Sequence, residues 1–159
     1  MFSFMNKREK LNERGIAKLL YNDVSVDSWD RANLTKYNLD FSTESLLYID
    51  EYVENLQTNS NKELLAKHGS NLAHRIGAYL GEVMKLHIPK DFHWYELNTI
   101  RKYSSKLDQY NLDPTTVHLY SKKTDAIILP TFEATEFLMG NSTYSKLSLY
   151  AKEKIRIHT

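Results

Sequence analysis

Apolar residues recur along this chain mostly at helical spacing. Leu11, Ile16, Leu19 and Leu20 give residues 6–21 an apolar edge, interrupted by Gly15, and predict a first helix of modest quality. Residues 22–41 carry scattered Asn, Asp and Ser and predict an irregular segment pinned to the core by Trp29, Leu34, Leu39 and Phe41. A clearer helix follows over 43–57. Ser42 or Thr43 can cap it, Glu44 lies in its first turn, and Leu46, Ile49, Val53 and Leu56 form one stripe. The polar run QTNSN, residues 57–61, ends it.

Residues 62–87 predict the longest helix, closed by Pro89. Leu65, Leu72, Ile76, Tyr79, Val83 and Leu86 trace its ridge, and beside them Gly69, Ala73, Gly77 and Gly81 recur every four residues. Interior glycine disfavours a helix, so the row predicts close approach of a neighbouring element and a central, doubly buried position. Residues 92–97 read as an aromatic strand and 99–110 as a short helix or excursion with Ile100, Tyr103 and Leu107 on one face. Val117 and Leu119 alternate with His118 and Tyr120. A hairpin turn at 122–125 leads to the apolar run 126–129. Pro130 opens a helix over 131–139, Gly140 suits a left-handed cap, and Ser142 can cap a last helix carrying Tyr144, Leu147, Ala151 and Ile155. The expected fold is one α+β domain over residues 1–159: helices including a long central one, an antiparallel sheet of about three strands, and two closing helices.

Composition adds exclusions. The 159 residues include 21 Lys+Arg, 20 Asp+Glu and no cysteine, which rules out disulfides, thiolate metal sites and cysteine nucleophiles. Residues 64–86 are the most apolar long segment, but Lys67, His68, Arg75, Glu82 and Lys85 forbid a bilayer span. The opening MFSFMNKREK does not read as a secretory signal, so a cytoplasmic protein is expected.

Phe41, Ser42, Ser45 and Leu46, then Gly77, Ala78, Tyr79, Gly81 and Glu82, then Trp94 form a pattern. It resembles small bacterial domains of unknown function with a Gly-Ala-Tyr-x-Gly-Glu helix. The resemblance covers about two thirds of the chain and departs at Pro130-Thr131-Phe132 and at Gly140-Asn141. It implies one domain of bacterial or phage origin and brings no activity with it.

Two candidate sites emerge. Arg75 and Glu82 are two helical turns apart, about 10.5 Å along the axis, a spacing that can flank a ligand. With His93, Trp94 and Tyr95 they form a possible ligand site in which a buried Glu82 can act as acid or base; the plainer reading makes Glu82 a packing residue. The six histidines show no HExxH and no i,i+4 pair, and no phosphate loop, dinucleotide fingerprint or nucleophile elbow occurs. No metal or cofactor is expected. Charge is unevenly spread: from Asn22 to Ser60 eight acids stand against two bases. Leu47, Tyr48, Asp50, Glu51 and Glu54 are expected on the outer face of the second helix, an acidic, aromatic docking surface for another protein. The last helix offers Lys146, Lys152, Lys154 and Arg156, so a second copy is a competing partner. Near-neutral net charge disfavours nucleic acid. The leading expectation is a non-enzymatic interaction domain, of the inhibitor or immunity type; the alternative is a ligand binder or enzyme using Glu82, Arg75 and Trp94.

Overall fold

The computed structural model describes residues 11–58 and 62–159. Helix α1 spans Glu13–Asn22 and a six-residue α2 spans Ser28–Asn33. Helices α3, Leu46–Thr58, and α4, Lys62–His87, follow. Strand β1 is His93–Glu96, α5 Leu97–Tyr103, β2 Val117–Ser121, β3 Ala126–Ile128, α6 Pro130–Leu138 and α7 Leu147–Ile157. The strands form one antiparallel sheet in the order β1-β2-β3, with Trp94 opposite Leu119 and Leu119 opposite Ile128. The α+β architecture with a long central helix and two closing helices is the expected one.

Several boundaries differ from the sequence reading for local reasons. The first helix begins at Glu13, where the Asn12 side chain accepts from the Gly15 N–H at 3.0 Å; residues 6–10 lie outside the described residues. Inside the supposedly irregular segment, the Asp27 side chain accepts from the N–H groups of Trp29 and Asp30 and starts α2. Ser42 Oγ accepts from the Ser45 N–H at 3.1 Å in the turn ahead of α3; the helix itself starts only at Leu46, so neither Ser42 nor Thr43 is its cap and Glu44 precedes its first turn. Ser142 likewise accepts from the Tyr144 N–H, and α7 starts only at Leu147.

Helix α4 is the axis of the molecule and contacts α1, α3, α6 and α7. Every residue from Ile76 to Met84 is buried, which covers its whole circumference, whereas Leu86 projects beyond the core at 59% exposure and leaves the expected ridge. The glycine row has a split explanation. A Cβ on Gly77 would meet Thr131 Cα at 2.5 Å, and one on Gly81 would meet Trp94 Cη2 at 2.2 Å, so α6 and β1 do approach as expected. Gly69 has nothing within 4 Å of that position and lies beside open space.

Behind the sheet, Leu97, Ile100, Leu107 and Tyr120 make a second small core. Strand β2 is therefore covered on both faces, and His118 and Tyr120, expected on the polar side of an alternating strand, are 2% exposed each. Near α3, the backbone of Phe41 is left-handed (φ 65°); its ring stacks on Tyr79 at 4.7 Å and its N–H donates to the Tyr79 hydroxyl at 3.0 Å.

Candidate functional site

Glu82 is 4% exposed and held from three sides. The Trp94 indole N–H donates to Oε2 at 3.1 Å, Lys85 Nζ lies 3.2 Å from the same oxygen, and Arg14 reaches Oε1 at 3.5 Å. Arg14 also lies over the Phe41 ring, 4.3 Å from its centroid. The carboxylate thus joins α1, α4 and β1, with both oxygens engaged. Its geometry is that of an anchor, because a buried carboxylate needs such donors to be tolerated at all.

The other expected members of that cluster go elsewhere. Arg75 donates from Nη2 to Asp23 Oδ2 at 2.7 Å and clasps the end of α1. His93 and Tyr95 alternate with Trp94 along β1 and so take the opposite face. His93 pairs with Asp91, and Tyr95 packs edge-on to Tyr120 at 6.1 Å. Of the candidate ligand residues, the structure brings together Glu82 and Trp94 and separates Arg75 and His93 from them.

The acidic face is also redistributed. Leu47 is 56% exposed, and Glu51 and Glu54 are exposed with no ion pair among the described residues. Tyr48 instead packs partly buried against the core. Asp50 turns to the start of α7, where its Oδ1 accepts from the Ser148 N–H at 3.0 Å, serving as a cap supplied from another helix. Leu47, Asp50, Glu51, Glu54 and Gln57 wall a groove of about 380 Å³ against Phe137, Ser145 and Lys146. Lys146 therefore meets the acidic helix within the same chain, while Lys154 lies over the Tyr150 ring and Lys152 and Arg156 remain exposed.

The histidines have separate fates. His87 Nδ1–H donates to the Val83 carbonyl at 2.8 Å. His118 pairs through Nε2 with Thr116 Oγ1 at 2.8 Å, and burial pushes its pKa down to about 4. Among the described residues no three His, Asp or Glu side chains converge as a metal-holding group.

One arrangement escaped the sequence reading. The N-terminal half of α4, α6 and the approach to β2 enclose a cleft of about 570 Å³. His74 stands on its wall, and His74 Nε2 lies 2.9 Å from Oε2 of Glu13, which is 3% exposed. That hydrogen bond raises the imidazole's pKa. The pair is separated by 61 residues in sequence, and its only local sign is Gly69, one turn before Ala73, in a helix that gains nothing locally from a glycine there.

No family model, no curated protein and no solved structure matches this chain. Among the described residues, no helix is long and apolar enough to cross a membrane. A functional reading therefore rests on the geometry of these surfaces.

Proposed function

We propose that this is a non-enzymatic interaction domain, cytoplasmic and of bacterial or phage origin, that binds another protein through the outer face of α3 in the manner of an inhibitor or immunity-type factor. One observation carries the reading: an exposed leucine, Leu47, stands beside two unpaired carboxylates, Glu51 and Glu54, on the rim of a groove that Phe137 lines. Such a surface suits a basic partner that brings an apolar side chain. The leucine supplies contact area, and the carboxylates steer encounter and penalise acidic competitors. The same charges repel nucleic acid phosphates. Asp50 and Tyr48 serve the fold, so the docking residues narrow to Leu47, Glu51 and Glu54. The GAYLGE resemblance supports the bacterial or phage origin.

The test is affinity capture from lysate of the source organism, with Glu51→Lys/Glu54→Lys as control. A protein held by the wild type and lost from the variant supports the reading; capture unchanged by the variant sinks it. Sedimentation of the purified chain separates self-association, since a dimer that dissociates on charge reversal makes a second copy the partner.

A further inference from the structure

The cleft between α4, α6 and the approach to β2 combines an apolar wall with hydroxyls and one imidazole. Its apolar wall is Leu65, Val117, Leu138 and Met139. Three of its hydroxyls are committed internally: Thr115 donates to Asp113 Oδ1, Thr116 to the Asp113 carbonyl and Thr135 to the Thr131 carbonyl. Ser70 and Thr131 keep hydroxyls without a hydrogen-bond partner among the described residues. Among the described residues, His74 is the only titratable side chain lining the cleft. Buried Glu13 behind it favours the charged imidazole and engages Nε2, which leaves Nδ1–H as a second donor. Ser70 is one turn before His74 and shares its helix face.

Gly69 supplies an independent observation. Gly77 and Gly81 are required by neighbours that leave no room for a Cβ, but Gly69 is not. Gly69 lines the cleft, and a longer side chain there would enter its open space.

We propose that the cleft binds a small apolar monocarboxylate, its hydrocarbon body against Leu65, Val117, Leu138 and Met139 and its carboxylate on His74 and Ser70. The volume is that of a small-molecule site. A single cationic group with neighbouring hydroxyls matches one carboxylate; a phosphate would call for lysine or arginine, and among the described residues neither lines the cleft.

The test titrates the full chain with octanoate and 3-phenylpropionate, each beside the matching alcohol (1-octanol, 3-phenylpropan-1-ol), followed by amide NMR at mildly acidic pH. The acids are expected to shift the amides of Gly69, Ser70 and Thr135, and the alcohols to bind about tenfold more weakly. Gly69→Leu, which fills open space, is expected to abolish binding of every probe with an unchanged or raised thermal midpoint. His74→Gln is expected to weaken the acids about tenfold and leave the alcohols alone. Silence from both acids, equal binding of acid and alcohol, or wild-type binding by Gly69→Leu each overturns the proposal. Should loss of the Glu13 partner unfold His74→Gln, the acid–alcohol comparison and Gly69→Leu still decide.

Discussion

The indole N–H of Trp94 donates to Glu82 across 3.1 Å, and this bond fastens β1 to the middle of α4. Lys85 and Arg14, both partly exposed, complete the carboxylate's surroundings. Glu82→Gln keeps an acceptor for the indole but loses both charge pairs, and Trp94→Phe loses the indole donor. Each is expected to lower unfolding stability by about 1–3 kcal/mol. A double-mutant cycle by urea denaturation should show coupling of roughly 0.5–3 kcal/mol; strictly additive losses would mean the pair does not act as a unit.

Two glycines of the same row should respond in opposite directions. Gly81→Ala drives a methyl into the Trp94 ring and towards Pro130 Cγ, and is expected to cost about 1–3 kcal/mol. Gly69→Ala meets nothing and is expected to gain about 0.5–1 kcal/mol from helix propensity alone. Thermal midpoints of the two variants check this.

Stability should fall on mild acidification because of His118. Its folded pKa is about 4 against an ordinary 6.5, so between those values the unfolded chain binds more protons. The contribution is complete above the unfolded value and is lost as pH falls towards 4, by roughly 3 kcal/mol in all. Urea midpoints across that window should drop in the wild type and drop less in His118→Leu. His74 has the opposite sign. Its raised folded pKa makes its contribution complete below 6.5 and lost as pH rises through the folded value.

Residues on the outer side of α3 divide by role. Asp50→Ala removes the cap on the Ser148 N–H and is expected to cost about 1 kcal/mol. Glu51→Lys and Glu54→Lys should each stay within about 0.5 kcal/mol of the wild type. Denaturation of the three variants distinguishes a structural aspartate from two exposed glutamates that the fold does not use.

What was legible in the sequence was local. The stripe Leu46, Ile49, Val53 and Leu56 is buried throughout, and the turn between β2 and β3 lies where Lys122-Lys123-Thr124-Asp125 puts it. Gly140 has the positive φ, 80°, expected of its cap. What was not legible depended on a distant partner. Arg75 and Glu82 share a helix face by spacing, yet Asp23 claims one and Trp94 the other. Asp50 has the composition of a surface acid until α7 arrives to be capped, and Tyr48 looks outward until it is seen to lean, partly buried, against the core. The cleft is the extreme case, because it needs Glu13, His74 and Thr131 from three separate helices.

The uneven burial of α4 makes it a cantilever. From Ile76 to Met84 it is clamped on all sides, while most residues from Glu63 to Asn71 face solvent. Amide exchange along this single helix should therefore grade from global unfolding at the clamp to local fraying at the free end. The free end carries Leu65, Gly69 and Ser70, so anything seated against them would stiffen the rod. Its occupancy would register as slowed exchange far from any change in the core.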